Sequence, residues 1–564
     1  MSSSFAPDKF DLVHFVPGRY RTRFDINKPL HLPGHTVIPK QGVRYLGVYL
    51  DSALNWNKHI ERVQADATQL LSGLTSLAGS TWGTRLTSLI KIYRGTILAK
   101  ALFCCPVWYI PNRGEGYARA EQAMIRKLEA IQKEAARIIS GGFRRAAGSA
   151  LNVELNLLPI KQELEKRIGM TLGRMVASPV YNTICEIRKG IRAISSYRLR
   201  PQLHSPLLHI ERRYQAERRI QCPVAELERK VPFVAEPWWV PPAIHIAPDR
   251  PQSITEHNEL VQDPRVLPVY TDGSGYKKRV GSAATIPLIP GALKKAFLGC
   301  LVSKHSVYAA ELYGILMALQ LVLEQLPSRK EVIIFTDNHA AIKSTHRPRY
   351  QNGQYIICQI IRILPEVLAK GYSVQIRWIS AHSGVTGNEC VDAHAKDAAV
   401  HGQQPHELPT LISALKAWVR RRVAIDWSRD WHKDNTGRTT YRLTKLVNKP
   451  EILYKHLGEH KAISALITQM RTGKIGLRSF LYPLGLAPTS QCDCGRGVQD
   501  LLHVLVTCPS HRELRNELFG PSMETDLVRI LNGNWLVRKA AIFMAKTGLL
   551  RQFSGLDLAV LEEH

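Results

Sequence analysis

The stretch Leu267-Pro-Val-Tyr-Thr-Asp272 decides the fold, because it is a short apolar run that ends on an acid followed by a glycine. A run of this kind, bounded by turn residues, predicts a buried strand. The segments after it predict strands over 280–286, 296–302, 331–336 and 373–379, and helices over 307–325, 355–369 and 388–399. Three strands followed by strand–helix alternation predict an α/β domain over 265–402, in which helices flank a mixed sheet.

Two of the predicted strands end on an acid. Asp272 closes the first strand, and Asp337 closes the strand over 331–336. Acids are depleted in strands, and ligand sites of open α/β sheets lie beyond the carboxyl ends of the strands, so both acids would face one crevice. Glu311 and Asp392 each lie about one turn into a predicted helix. Each acid alone also fits an ordinary role, as a turn residue, a helix N-cap or a surface charge.

Four sequence blocks contain these acids. They are Tyr270-Thr-Asp-Gly-Ser274, Ala309-Ala-Glu-Leu312, Phe335-Thr-Asp-Asn338 and His382-Ser-Gly-Val-Thr-Gly-Asn-Glu-Cys-Val-Asp392. Together they resemble type 1 ribonuclease H over residues 265–402. The resemblance implies an α/β fold with a mixed five-stranded sheet and flanking helices. One departure is Ser380-Ala381, where the family often has Pro-Gly, and it removes no predicted ligand.

The resemblance implies an endonuclease that hydrolyses the RNA strand of RNA–DNA hybrids with two Mg²⁺ ions, which Mn²⁺ can replace. Two such ions, about 3.5–4 Å apart, clamp the attacking and leaving oxygens, and Mg²⁺ takes carboxylate ligands while keeping several waters. By resemblance, Asp272 bridges both ions and Asp392 completes the ion that activates water. Glu311 and Asp337 complete the ion at the leaving group, and His382 assists proton transfer or product release.

The resemblance also implies substrate contacts near the first strand turn. The residues concerned are Gly273, Ser274, Gly275 and Asn338. Choosing RNA requires reading a 2′-hydroxyl across the minor groove, and no base sequence is read because the grip is on phosphates and groove shape. The extra basic helix that some family members insert after 338–346 is missing. Grip on the hybrid would then come from the flanking regions.

The net charge of +29 favours a polyanionic partner, and nucleic acid is the commonest one. A solvated basic surface, or binding to acidic proteins, is the alternative. No apolar run approaches the ~20 residues needed to span a bilayer, so no membrane partner is expected. The sequence indicates no particular protein partner. An RNA–DNA hybrid substrate favours the nucleus within an intracellular location.

The N-terminal regions resemble part of the reverse transcriptase of a non-LTR retrotransposon. The motifs are Phe10-Asp-Leu-Val-His-Phe15, Tyr45-Leu-Gly-Val48, Leu54-Asn-Trp-Asn-Lys-His-Ile60 and Pro106-Val-Trp108. They predict a palm remnant over 1–50 and a thumb-like helical region over 51–176. No Asp-Asp dipeptide occurs in the chain, so we expect no polymerase activity. The arginine- and proline-rich stretch 177–264 predicts a linker, because dense prolines disfavour long helices and central strands.

The C-terminal region over 403–564 is predicted to be largely helical and contains a Cys/His block. Its members are Cys492, Cys494, His503 and Cys508. Three thiolates and an imidazole suit tetrahedral structural zinc, and similar blocks follow the ribonuclease H domain in related fungal-type elements. The alternative is unbound cysteines in a core, and His511 is a possible substitute ligand.

The favoured function is therefore an RNA–DNA hybrid ribonuclease in a chain derived from a retroelement polyprotein of the fungal type. The first alternative is a catalytically silent relic that still binds nucleic acid. A second alternative is a structural RNA-binding protein that uses the zinc-like block and the basic linker.

Overall fold

The computed structural model describes residues 9–15, 23–109, 115–194, 205–218, 226–301, 304–406 and 408–557. The chain divides into two compact units. The first unit comprises Met1–Arg167, Pro201–Pro206 and Arg422–His564, and the second comprises Ile168–Arg200 and Leu207–Arg421. Parts of the predicted regions 1–50, 51–176, 177–264 and 403–564 lie outside the described residues.

The described residues contain ten strands. They are β1 (Leu30–Leu32), β2 (His35–Val37), β3 (Gly42–Tyr45), β4 (Val48–Asp51), β5 (Ala243–His245), β6 (Val266–Tyr276), β7 (Arg279–Thr285), β8 (Leu293–Cys300), β9 (Glu331–Thr336) and β10 (Ser373–Trp378). In the first unit, β1 pairs with β2 and β3 pairs with β4, both antiparallel. In the second unit, six strands form one sheet in the order β5-β10-β9-β6-β7-β8.

The helices of the first half of the chain are α1 (Asn57–Thr75), α2 (Leu86–Gly95), α3 (Ile97–Ala101), α4 (Cys105–Trp108), α5 (Glu115–Ser140), α6 (Gly148–Glu154), α7 (Ile160–Ala177), α8 (Val180–Ile194), α9 (Pro206–Arg218) and α10 (Arg250–Gln262). The second half has α11 (Val307–Gln325), α12 (His339–His346), α13 (Gln354–Ala369), α14 (Thr386–His401), α15 (Ile412–Lys433), α16 (Arg438–Leu443), α17 (Lys461–Thr472), α18 (Arg478–Leu481), α19 (Arg512–Phe519), α20 (Leu527–Asn532) and α21 (Asn534–Lys546). Short 3₁₀ turns lie at Pro450–His456, Tyr482–Leu484, Pro509–His511 and Arg551–Phe553.

The sheet of the second unit is mixed. β7 is antiparallel to both β6 and β8, whereas the pairs β6–β9, β9–β10 and β10–β5 are parallel. Parallel pairing aligns Tyr270 of β6 with Phe335 of β9. The register therefore brings Asp272 and Asp337, each two residues further on, to the same end of adjacent strands.

Helix α11 is the central helix of this unit and packs against the sheet. Its side chains join β6, β9 and α13 in one apolar core. Among the described residues, α11 is the one helix long and apolar enough to cross a membrane, and 67% of its most apolar window is buried inside the protein. The burial is typical of a core helix, because an apolar helix of this length needs a covered surface.

The predicted α/β architecture is confirmed, with one strand more than the five expected. The added strand is β5, which pairs with β10 at the edge of the sheet. It lies in the stretch 177–264, where a linker was predicted but where the structure contains α8, α9, β5 and α10. The prolines fall at positions that tolerate them. Pro206 begins α9, Pro251 occupies the first turn of α10, and Pro242 precedes an edge strand.

The core of the first unit contains a fully buried ion pair. Arg471 of α17 donates through Nε to Oε2 of Glu154, the last residue of α6, over 2.7 Å, and both side chains have no exposure. The same guanidinium donates to the carbonyl of Leu531 and to the side chains of Asn532 and Thr444. Because a buried charge needs such partners, this network fixes the packing of α6 against α17.

Candidate active site

Three carboxylates meet at the carboxyl end of β6 and β9. Asp272 comes from β6, Asp337 directly follows β9, and Glu311 comes from the second turn of α11. One oxygen from each lies within 4.8 Å of the other two. Asp272 and Glu311 are buried, with exposed fractions of 8% and 3%. Hard, closely spaced carboxylate oxygens of this kind are ligands that Mg²⁺ or Mn²⁺ accepts.

A close approach between the first strand and α11 places Glu311. A Cβ atom added to Gly273 would lie 2.4 Å from the backbone nitrogen of Glu311. Ser306 caps the start of the helix, since its hydroxyl accepts from the backbone N–H of Ala309. The carboxylate of Glu311 accepts a hydrogen bond from the Thr336 hydroxyl over 3.3 Å. Because residue 273 is glycine, α11 can approach β6 closely enough to place Glu311 at the end of the sheet.

Burial, followed by repulsion from neighbouring acids, raises the pKa of all three carboxylates. Burial, with repulsion from Asp337 and Asp392, raises the pKa of Asp272 to about 7. Burial, with repulsion from Asp272 and Asp337, raises the pKa of Glu311 well above its ordinary value. Burial and repulsion from Asp392 also raise the pKa of Asp337, and the nearby His382 acts in the opposite direction. Without cations, the site therefore retains protons near neutral pH.

Asp392 lines the same cleft but lies outside this group of three. It lies on α14, and its Oδ2 accepts a hydrogen bond from Nζ of Lys396, one turn further along, over 2.5 Å. Lys396 lines the cleft as well. Lys396 was not predicted from the sequence, although it follows Asp392 by four residues on a predicted helix.

His382 lines the cleft from the loop between β10 and α14. Its backbone is left-handed, with φ of 50°, a conformation that surrounding contacts must hold. Arg250, the first residue of α10, donates through Nη2 to the backbone carbonyl of His382. Oε1 of Glu389 accepts from the backbone N–H of Gly384 over 3.0 Å. Glu389 thus holds the loop, and Arg250, which lies in the predicted linker, was missed by the sequence analysis.

The predicted substrate contacts border the same cleft of about 390 Å³. Gly273, Ser274, Gly275 and Asn338 all line it. Asn338 also caps the start of α12, since its side-chain oxygen accepts from the backbone N–H groups of Ala340 and Ala341 over 3.0 Å. This cap occupies the side-chain oxygen of Asn338 and does not involve its amide NH₂ group.

The Cys/His block forms a second potential metal site, in the first unit. One ligand atom from each of Cys492, Cys494, His503 and Cys508 lies within 4.8 Å of the others. The Sγ atoms of Cys492 and Cys508 are 3.8 Å apart, which is about the separation of two thiolates bound tetrahedrally at ~2.3 Å from zinc. Sγ of Cys494 lies 3.2 Å from Nε2 of His503. The donor set and spacing fit zinc.

The local structure around the Cys/His block also fits a metal site formed by these four residues. His503–Thr507 forms a π-helical turn, a rare element that often occurs at functional sites. A hydrogen bond from the backbone N–H of Arg496 lowers the pKa of Cys494 to about 7, whereas burial raises the pKa of Cys492 to about 11. Arg515 donates to the backbone carbonyl of Cys508 over 2.8 Å. His511, the predicted substitute ligand, is not a member of the group.

Comparison with known proteins shows that residues 264–400 match the family model for RNase H. The chain is 25% identical over 148 residues to the "Putative 115 kDa protein in type-1 retrotransposable element R1DM" of Drosophila melanogaster. The matched residues make up 25% of this chain and 13% of that protein. It is 31% identical over 83 residues to the "Retrovirus-related Pol polyprotein from type-1 retrotransposable element R1 4" of Nasonia vitripennis, which covers 15% of this chain and 21% of that protein. The chain thus matches about a fifth or less of the length of these relatives.

Among solved structures, RNase H1 from the archaeon Halobacterium salinarum NRC-1 is similar to a part of the chain. The identity is 15% and the TM-score is 0.19, over 24% of this chain and 96% of that one.

Proposed function

We propose that the RNase H domain over residues 264–400 hydrolyses the RNA strand of RNA–DNA hybrids. The observation that carries this proposal is the convergence of Asp272, Glu311 and Asp337 at one end of the sheet, with Asp392 on the wall of the same cleft. Carboxylates whose pKa values are raised by burial and mutual repulsion are typical of functional sites. The relatives include proteins of retrotransposable elements, which agrees with a nuclease that acts on RNA–DNA hybrids.

The carboxylates would hold two Mg²⁺ ions. When bound, these ions supply a reactive water and stabilise the leaving oxygen of the phosphodiester. The contribution of the chain is to position the carboxylates, because the strand register aligns Asp272 with Asp337 and the close contact of Gly273 with α11 places Glu311. In the reaction, a water molecule gives up a proton as its oxygen bonds to phosphorus, the bond from phosphorus to the leaving oxygen breaks, and the leaving oxygen gains a proton.

His382 would exchange a proton at the edge of the cleft. Imidazole is suited to this because its ordinary pKa lies near neutral pH. Arg250 and Glu389 hold the loop on which His382 lies. Gly273, Ser274, Gly275 and Asn338 would contact the hybrid beside the carboxylates, and no base sequence would be read.

The test is cleavage of a labelled RNA–DNA hybrid by the full chain with Mg²⁺, in parallel with Asp272→Asn. We expect cuts that disappear with EDTA and in the variant. A hybrid that is bound but never cut would overturn the enzyme proposal and leave the alternative of a nucleic-acid-binding relic.

For the Cys/His block, the supported function is structural zinc binding. We expect the purified chain to contain one Zn²⁺, and Cys492→Ser to lose it and unfold at a lower temperature, because structural zinc contributes directly to folding. The matched control is Cys300→Ser, an exposed cysteine in the second unit. Equal zinc content in both variants would contradict the assignment.

The remaining predictions concern origin and location. The palm remnant over 1–50, the thumb-like region over 51–176, the fungal-type origin and the absence of polymerase activity stay proposals that rest on sequence motifs. A nuclear location follows only from the proposed hybrid substrate. Fluorescent tagging of the chain in cells tests it, and exclusion from the nucleus would contradict it.

A further inference from the structure

Residues 226–242, which we call the strap, run beside the segment 346–354 of the second unit. At one end, Val231 and the side chain of Gln354 exchange two hydrogen bonds, of 2.7 and 3.1 Å. At the other end, the carbonyl of Pro242 lies 3.1 Å from Nδ1 of His346. The two segments therefore lie alongside each other in opposite directions. The strap lies outside the residues that match the RNase H family.

Buried charges fix the beginning of the strap. The fully buried carboxylate of Glu228 accepts from the backbone N–H groups of Gly353 and Ile412, over 2.8 and 3.1 Å. Lys230, also buried, donates to the side-chain oxygen of Asn352 over 2.8 Å. Because buried ionic groups without partners are strongly destabilising, these contacts hold the strap in one position.

The strap exposes large aromatic side chains. Trp239 packs against the core of the unit, yet Trp238 is 77% and Phe233 is 90% exposed. Tyr350, on the neighbouring segment, is 49% exposed and has Nζ of Lys230 5.4 Å from its ring centre. A fixed backbone that presents several exposed rings is typical of a binding surface.

The same surface is basic. Arg347 and Arg349 of the segment 346–354 are exposed, and no ion pair of theirs occurs among the residues that the structure describes. Between Lys230 and the end of the strap at residue 242, the one exposed acidic residue is Glu236. Exposed rings interleaved with exposed cations favour a polyanion with accessible bases over an apolar protein partner.

This surface is continuous with the proposed active site. Val307 lines the cleft, and the next residue, Tyr308, donates to Ser344 over 2.8 Å and accepts from Gln351 over 2.9 Å. Helix α12 begins directly after Asn338 of the cleft and ends at His346, next to Arg347. Its eight residues span ~12 Å, a few nucleotides of one strand.

We propose that the strap and the segment 346–354 bind a single strand of nucleic acid that continues from the hybrid in the cleft. Unpaired bases expose both faces and stack on rings such as Phe233 and Trp238, whereas the bases of a duplex are covered by their neighbours. Arg347 and Arg349 contact the phosphates. The inference rests on the proposed function, because the cleft determines which strand reaches this surface.

The test compares two probes on the full chain carrying Asp272→Asn, which prevents cutting. One probe is a short blunt RNA–DNA hybrid, and the other has a single-stranded DNA extension of ~8 nucleotides, within the usual site size of such surfaces. We expect the extension to tighten binding, and Phe233→Ala with Trp238→Ala to remove that gain, about tenfold per stacking ring. Arg347→Gln with Arg349→Gln should lower the salt slope by ~1.4.

The matched control is Leu288→Ala, which removes an exposed apolar side chain of the same unit outside the strap. It should bind both probes as the parent does. An extension that adds no affinity, or a gain that survives removal of both rings, would overturn the inference. Failure of the unsubstituted chain to cut the blunt hybrid would instead refute the proposed nuclease, so the two failures are distinguishable.

Discussion

In the metal-free protein, the ionised Asp272 carboxylate destabilises the folded state, because it is buried and lies near other acids. Its folded pKa of about 7 lies above the unfolded value of ~3.9. The contribution of Asp272 to the free energy of unfolding is therefore fully present below the unfolded pKa, where the carboxyl is protonated. It is lost as pH rises through the folded pKa. We expect Asp272→Asn to raise the free energy of unfolding in EDTA by ~1–3 kcal/mol at pH near 8 and by little at pH near 4. Urea unfolding at both pH values measures it, and an equal gain at both would contradict it.

Arg250 is a positioning residue, because its contact is with the backbone carbonyl of His382. Removing the side chain frees a loop held in a left-handed conformation, and misplacement at an active site costs up to ~10²-fold in rate. We expect Arg250→Ala to lower kcat several-fold with little change in KM, and Arg250→Lys to restore part of it.

Arg265→Ala is the control for Arg250, since Arg265 is exposed and pairs with Asp263. Steady-state cleavage measures both variants. A fall in KM and kcat together, or the same loss in the control, would contradict a positioning role for Arg250.

The resemblance of four sequence blocks to type 1 ribonuclease H predicted the four acids and His382, and the structure brings them to one cleft. These blocks could not indicate Arg250, because its contact with His382 joins residues 132 positions apart and Arg250 lies before the residues that match the family model. The raised pKa values were also not predictable, since they depend on burial and on distances between oxygens.

The packing of α11 against β6 sets the position of Glu311. A methyl group at Gly273 would overlap the helix backbone, and overpacking of this kind costs ~1–3 kcal/mol. We expect Gly273→Ala to lose stability by that amount and to lose cleavage, because Glu311 shifts. Gly190→Ala, where no atom lies within 4 Å of an added Cβ, should do neither. Thermal unfolding and cleavage measure both, and a stable, active Gly273→Ala would contradict this packing argument.

Elements within the segment 264–400, which matches the RNase H family model, followed from apolar patterns, whereas those in the stretch 177–264 did not. The helix at 307–325 and the strands at 331–336 and 373–379 appear as predicted, to within a residue. The stretch 177–264 was predicted as a linker because it is rich in proline. The relevant physical factor is where each proline falls, and positions at helix starts and beside an edge strand are compatible with structure.

The two units are built from segments far apart in the chain, which patterns along the sequence do not show. The pair of Glu154 and Arg471 joins residues 317 positions apart in the first unit. Likewise, Glu228 bonds to Ile412 in the second unit, 184 positions away. Such contacts depend on tertiary packing, so the composition of each unit becomes apparent only from the structure.

The net charge of +29 acts over the full chain and should dominate non-specific binding. Each phosphate neutralised adds about −0.9 to the slope of log K against log salt on duplex DNA. We expect affinity for duplex DNA to fall steeply with salt, while preference for RNA–DNA hybrid over duplex DNA persists. Competition binding at several salt concentrations measures this. A preference that vanishes with salt would leave charge alone as the cause of binding.

The proposed carboxylate site is tested most directly by cleavage of a hybrid labelled separately on each strand, with Mg²⁺, by the parent chain and by Asp272→Asn, Glu311→Gln and Asp337→Asn. We expect that only the RNA strand is cut and that each variant loses roughly 10³-fold in rate, since a metal ion contributes several kcal/mol to the transition state. Cutting of the DNA strand, or full activity in any of the three variants, would contradict the proposed carboxylate site.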